Sequence, residues 1–149
     1  MHHVFNTAKI VIEATLKVGV VYKFYAPELI NTEIPHYFIV VGIENDNNYM
    51  VLCTTQLDAK LTYFTSKGYD LNTLAFILPT ALNGLKVKTY VNCNDYHTIS
   101  KSELIKKVEL NKFELTGNLS REEYEKIKFA IDLSYVNDIP TFLLEYPGD

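Results

Sequence analysis

Arginine is almost absent from this chain of 149 residues, and tryptophan is absent altogether. The one arginine is Arg121, so a phosphate site built on several guanidinium groups is excluded. The net charge of −4 argues against a protein that coats nucleic acid, because such proteins are usually basic. An enzyme that holds a few phosphates in a local groove remains compatible with this charge.

Long apolar runs are also missing, and none reaches the length of a membrane span. Glu13 and Lys17 interrupt the apolar residues near the N-terminus, which does not fit a signal peptide. These two absences predict a cytoplasmic protein with no membrane association. The two cysteines, Cys53 and Cys93, are far apart in sequence and lack CxxC spacing, which predicts buried thiols rather than a disulfide.

Several chemical motifs are absent as well. The six glycines are scattered singly, so there is no glycine-rich loop for phosphate, and no Gly-x-Ser-x-Gly turn supports acyl transfer. The chain does have apolar residues, at 48% of the total, which is enough for the core of one domain over 1–149. Its many tyrosines favour half-buried strand positions.

Hydrophobic periodicity predicts strands framed by two helices. Within residues 1–17, apolar spacing of three and four predicts a helix over 5–16, with Asn6 as its N-cap. A turn rich in Asn and Asp at 45–48 joins two strands into a hairpin. The predicted strands cover 20–25, 36–44, 49–55, 74–78, 86–93 and 97–100.

The last helix has the clearest signals. Ser120 and Glu123 form a capping box, and a stripe of small and apolar residues follows at helical spacing. Residues 136–149 form a tail whose apolar side chains predict that it packs against the domain. Residues 56–72 have a mixed pattern with a predicted turn at Lys67-Gly68. Residues 102–108 are ambiguous between helix and strand. The order predicts a mainly β domain, a small curled antiparallel sheet or barrel with flanking helices.

Five segments in order resemble the MazF/PemK-like toxins. They are Gly19-Val20-Val21-Tyr22, the run 35–41 that begins Pro35-His36, the run 51–55 that ends Thr54-Thr55, Tyr96-His97-Thr98-Ile99 with its continuation to Leu104, and Gly117-Asn118-Leu119-Ser120. The resemblance covers about residues 18–135. It implies an SH3-like barrel that cuts single-stranded RNA without metal or cofactor, forms a homodimer and is blocked by an antitoxin protein.

Two departures from the family pattern concern the chemistry. His36 and His97 stand where the family has arginines. A histidine can transfer a proton near neutral pH, but it lacks the permanent charge and the two-pronged phosphate grip of arginine. The resemblance therefore leaves open whether the site has changed its chemistry or lost it.

His36 with Thr54 or Thr55 is the candidate catalytic group. In a hairpin with a short turn, the start of one strand lies beside the end of the other, so these side chains are expected to share a pocket. Cleavage of RNA by its own 2′-hydroxyl needs a base, an acid and donors for the phosphate. His36 supplies base or acid in this hypothesis, and a threonine hydroxyl holds the phosphate. The alternative is a strand-end histidine beside two ordinary strand threonines.

The candidate RNA contacts follow later in the chain. His97 with Ser100 supplies a second acid or an RNA contact, and Lys86, Lys88 and Tyr90 alternate on one strand face where lysines track a backbone and tyrosine stacks a base. A loop histidine and a solvated strand face are the ordinary alternatives. A zinc site made of both cysteines with His36 and His97 is disfavoured, because close ligand spacing is missing.

Two other functions stay open at this point. The chain is compatible with a non-catalytic SH3-like binding module that kept the barrel and lost the arginines. It is also compatible with an interaction protein whose aromatic tail docks a partner.

Overall fold

A seven-stranded antiparallel sheet organises the structure, a computed structural model that describes residues 7–148. The order across the sheet is β4-β5-β3-β2-β1-β7, and β6 also pairs with β3. The predicted antiparallel sheet with flanking helices is confirmed at this level, in a domain that is mixed α/β. The strands are β1 (Val20–Phe24), β2 (His36–Glu44), β3 (Asn47–Thr54), β4 (Leu74–Ile77), β5 (Thr89–Asn92), β6 (His97–Ser100) and β7 (Phe113–Asn118).

Four α-helices accompany the sheet within the described residues. They are α1 (Thr7–Thr15), α2 (Leu57–Lys67), α3 (Lys101–Glu109) and α4 (Arg121–Leu133). The predicted capping box is present, since the Ser120 hydroxyl accepts from the Glu123 N–H and the Glu123 carboxylate accepts from the Ser120 N–H. The predicted cap Asn6 lies outside the described residues. Over 7–148, no helix combines the length and apolarity that crossing a bilayer requires.

The strand registers sort the side chains onto two faces. Residues directly opposite in an antiparallel pair point to the same face, and the face alternates along each strand. One face, here called the α1/α3 face, packs under Ile12 of α1 and Leu104 of α3. The other, the α4 face, packs under Tyr124, Ile127 and the rest of the predicted apolar stripe of α4.

The sheet curls until its two ends meet through a loop. The Asn118 N–H of edge strand β7 donates to the Leu82 carbonyl oxygen at 2.9 Å, in the loop that follows the other edge strand, β4. Within residues 7–148, no strand ladder joins β4 to β7. The backbones approach so closely that a Cβ on Gly84 or Gly117 would meet backbone atoms of the facing segment. Glycine is required at both positions because no side chain fits between the two backbones.

The structure refines the predictions for three segments. Residues 56–72 contain α2, and the predicted turn at Lys67-Gly68 is the left-handed cap that ends it, with φ +71° at Gly68. The turn predicted over 45–48 is shorter, because Asn47 and Asn48 pair with β2 and already belong to β3. Residues 102–108 fall in α3, where the Ser100 hydroxyl accepts from the Glu103 N–H at 3.1 Å and caps the helix.

Two strand predictions are also corrected. The strand predicted over 86–93 begins only at Thr89, because its partner β4 ends at Ile77 opposite Thr89 and leaves residues 86–88 unpaired. Strand β7 is absent from the predicted strands, because its alternation of apolar and polar residues is short and is followed at once by Gly117 and Asn118, which are typical of turns.

The tail packs against the domain, as its apolar side chains predict. Ile139, Leu143 and Leu144 are buried, whereas Phe142 is 70% exposed. The Tyr124 hydroxyl of α4 lies 2.7 Å from the Leu144 carbonyl oxygen. The tail therefore completes the core of the α4 face.

Candidate active-site groove

The catalytic candidates lie in one row across the sheet. Phe38 is opposite Leu52, so the same register continued by two residues places His36 opposite Thr54. Thr54 is in turn opposite Tyr90, and Tyr90 is opposite Phe76. Because opposite residues share a face, His36, Thr54 and Tyr90 all belong to the α1/α3 face. The hairpin prediction that joined His36 to Thr54 agrees with this register.

Three cavities that share lining residues form a groove, which begins at the end of the hairpin and follows this face. The first, of about 200 Å³, contains His36, Thr54 and Thr55. The second, of about 260 Å³, shares His36 and Thr54 with it and adds Lys60. The third, of about 390 Å³, shares Lys60 with the second and ends at His97. The groove runs from the His36 end of the hairpin, past α2, to β6.

His36 stands in the groove with a free nitrogen. Its Nε2 is buried and has no hydrogen-bond partner among the described residues. Burial lowers the pKa of His36 below its ordinary 6.5, and the positive charge of Lys60 lowers the pKa further. Both effects favour the neutral imidazole, the form that accepts a proton. The site thus holds a histidine prepared as a base near neutral pH.

His97 occupies the far end of the groove in a different setting. Burial is the largest cause that lowers its pKa, Lys60 adds to the lowering, and the nearby carboxylate of Asp95 raises the pKa. Asp95 is held by donors on two sides, the Asn92 amide at 2.7 Å and the Tyr63 hydroxyl at 3.3 Å. The two histidines therefore share Lys60 as a neighbour, and His97 in addition has a carboxylate beside it.

The register also separates the two histidines. His97 is opposite Met50, whereas His36 faces Thr54, four residues further along β3. At about 3.3 Å per residue, this offset is about 13 Å along the strand. One phosphate group does not span that distance, so the two histidines would contact different parts of a ligand bound in the groove.

The remaining predicted contacts divide into two groups. Lys88 and Tyr90 lie beside the site, with the Lys88 Nζ 5.5 Å from the centre of the Tyr90 ring and 4.2 Å from that of Phe76. Lys86 is exposed ahead of β5 and lines none of the three cavities. Ser100 does not line them either, because its hydroxyl caps α3. The predicted strand face of Lys86, Lys88 and Tyr90 is wrong for both lysines, because β5 begins only at Thr89.

Sequence reasoning missed the contribution of α2. Gln56, Lys60 and Tyr63 line the groove, and Lys60 is a cation that acts on both histidines. The apolar residues of α2 are spaced four and three apart at Leu57, Leu61 and Phe64, but only Phe64 is fully buried. That spacing was the available signal for the helix.

The two cysteines are buried, and Cys53 also lines two cavities of the groove. Cys53 and Cys93 are free thiols in the core of the α4 face, and burial raises the pKa of Cys93 to about 12. In the part of the chain described here, no three His, Cys, Asp or Glu side chains are arranged to hold a metal ion. The disfavoured zinc set therefore does not assemble.

Replacing Lys60 tests the electrostatics of the groove. A Lys60→Met variant is expected to raise the pKa of His36 and of His97, because a nearby positive charge that disfavours the imidazolium is removed. NMR titration of the imidazole signals, assigned with His36→Gln, measures both values. Lys67→Met is the matched control, since Lys67 is on the same helix at its exposed end. Equal titration curves in the wild type and in Lys60→Met would contradict this picture.

The chain matches no protein-family model, and it has no match among curated proteins. Its function is therefore inferred from the fold and the groove.

Proposed function

We propose that this protein is a metal-independent endoribonuclease of the MazF/PemK-like toxin type, acting on single-stranded RNA. The observation that carries the proposal is the buried, unpartnered Nε2 of His36 beside Thr54, at one end of a long groove of the described residues. In this proposal the curled sheet is an SH3-like barrel, in which the loop at Leu82 bridges the two edges.

The chemistry uses the RNA's own nucleophile. Neutral His36 takes the proton of a 2′-hydroxyl, the 2′-oxygen bonds to the adjacent phosphorus, and the bond from phosphorus to the 5′-oxygen breaks. A protonated group or water gives a proton to that 5′-oxygen, which leaves a 2′,3′-cyclic phosphate and a 5′-hydroxyl. The Thr54 and Thr55 hydroxyls and the Lys60 ammonium are the donors available to stabilise charge on the phosphate.

The length of the groove supports a polymer as the ligand. Its three cavities follow one another from Thr55 to His97, so a chain of nucleotides fits it better than a single small molecule. His97 serves as an RNA contact or a secondary acid about one nucleotide or more away from the reacting phosphate. Lys88 and Tyr90 extend the contact surface beside Thr54. A homodimer and a blocking antitoxin protein complete the proposal as its partners.

Cleavage of a defined RNA tests the proposal. The purified chain is expected to cut single-stranded RNA in the presence of EDTA and to leave 2′,3′-cyclic phosphate ends, measured by gel and mass spectrometry. Induced expression is expected to arrest bacterial growth. RNA that stays intact at high protein concentration, together with normal growth, would refute the ribonuclease.

A non-catalytic binding module is the second candidate. The carboxylate of Asp95 beside His97 favours it, because a negative charge in the groove weakens the hold on phosphate. This alternative predicts that the chain binds single-stranded RNA but releases it uncut. The same gel assay, run beside a binding measurement, separates the two.

A further inference from the structure

A cavity of about 590 Å³ adjoins the His36 end of the groove, on the side away from His97. It shares Lys23 and Pro35 with the cavity that holds His36 and Thr54. Residues from the loop after β1 and from the start of β7 form its remaining walls. Lys23 and Glu114 belong to the α4 face, because Lys23 is opposite Tyr37, so an RNA strand held at His36 reaches this cavity by passing around the end of the hairpin.

Tyr25 gives the cavity an aromatic surface that is held in place. Its ring is half-buried, and the Lys112 Nζ lies 5.9 Å from the ring centre. The backbone carbonyl of Tyr25 accepts a hydrogen bond from the buried Lys107 ammonium at 2.7 Å, and Lys107 also pairs with Glu28 at 2.8 Å. The ring is thus presented from a fixed backbone, which lowers the entropy lost on stacking.

The charges around the cavity favour a base over a phosphate. Two cations, Lys23 and Lys112, are balanced by two carboxylates, Glu33 and Glu114, and Glu114 is directly opposite Lys23 in the sheet register. A phosphate is repelled by the carboxylates. An exocyclic amino group donates to carboxylate oxygens, as cytosine N4 does to glutamate in DNA recognition.

We propose that this cavity is a subsite that binds one nucleobase of the RNA, stacked on Tyr25, with Glu33 and Glu114 accepting from its exocyclic amino group. The base is cytosine, adenine or guanine rather than uracil, because uracil has carbonyl oxygens and no exocyclic amine. This subsite rests on the proposed function, since it places a neighbour of the nucleotide that His36 acts upon.

Binding of uncleavable RNA tests the subsite apart from catalysis. The probes are 2′-O-methyl oligonucleotides of eight cytosines, eight uracils and three cytosines, measured by fluorescence anisotropy. Tyr25→Ala is expected to weaken binding of the eight-cytosine RNA roughly 10-fold or more, because a stacked base is lost. The three-cytosine RNA still provides a neighbour of the nucleotide at His36, so Tyr25→Ala is expected to weaken its binding as well. Tyr25→Phe keeps the ring and is expected to bind like the wild type.

The carboxylates and the lysine have their own variants. The wild type is expected to prefer eight cytosines to eight uracils, and the double variant Glu33→Gln with Glu114→Gln to lose that preference. Lys112→Ala is expected to weaken binding of the eight-cytosine RNA more than Lys106→Ala, which removes an exposed lysine outside the groove.

The outcomes separate the two proposals. Cleavage by the wild type with unchanged binding in Tyr25→Ala, or with equal binding of cytosine and uracil, would overturn the subsite alone. No cleavage and no binding of any RNA would overturn both. Weaker binding of both cytosine RNAs by Tyr25→Ala, without cleavage by the wild type, would support the subsite and favour the binding module.

Discussion

A His36→Ala variant is expected to cut single-stranded RNA roughly 10²- to 10⁴-fold more slowly than the wild type, the usual contribution of a positioned acid or base. The loss falls on kcat, because His36 acts on a proton during the reaction and holds little of the ligand. Its buried Nε2 has no partner to lose among residues 7–148. Initial rates on a labelled RNA, measured over a range of concentrations, separate kcat from KM.

Two controls distinguish a lost base from a damaged fold. Imidazole added to the His36→Ala variant is expected to restore part of the rate, because the small base enters the vacated space. Urea unfolding of the variant is expected to match that of the wild type closely, since a half-buried strand-end side chain carries little of the core. An unchanged cleavage rate in His36→Ala would remove His36 from the mechanism, and Thr54 with it.

The pH dependence of cleavage follows from the same residue. The pKa of His36 lies below 6.5, so its neutral form persists at mildly acidic pH and is lost only as the pH falls through that pKa. Cleavage that depends on neutral His36 is expected to decline only below this range, which a profile of rate against pH measures.

Gly84→Ala is expected to lower the free energy of unfolding by roughly 2–4 kcal/mol, the sum of overpacking and left-handed strain. Gly84 has φ +71°, and a Cβ there would overlap the Thr116 carbonyl of β7. The backbone of β7 cannot move aside as a flexible side chain can, so the loop that contains Gly84 must move away from β7. Urea denaturation followed by circular dichroism measures the change.

Gly68→Ala is the matched control for this prediction. Gly68 also has φ +71°, but no atom of the described residues lies within 4 Å of the position that an alanine Cβ would take there. The control keeps the backbone strain and omits the collision, so a loss of about 1 kcal/mol is expected. Equal losses in the two variants would mean that contact between the loop and β7 contributes nothing to stability.

The hairpin and the last helix are predictable from interactions between residues that are close in sequence. Two apolar runs joined by an Asn/Asp turn leave little choice of register, so His36 and Thr54 are expected to be neighbours. The capping box at Ser120 and the stripe beginning at Tyr124 likewise act within a few residues of each other. Such signals are readable because the interacting groups are close in sequence.

The positions of helix α2 and strand β7 depend on contacts between residues that are far apart in sequence. The residue before α2, Gln56, makes no side-chain cap, and the helix buries only Phe64 completely, so its position depends on packing against the sheet. Strand β7 is held by pairing with β1, from the opposite end of the chain. The place of Lys60 and Tyr63 in the groove and the cavity at Tyr25 therefore depend on tertiary packing.

The sequence by itself determined the hairpin that pairs His36 with Thr54, the capped last helix and the absence of an arginine-based site. Only the tertiary structure decided that His97 and His36 share one groove and that Lys60 stands near both. The physical reason is that pairing of β6 with β3 and packing of α2 join distant segments. Their geometry depends on the core of the whole domain rather than on any local run of residues.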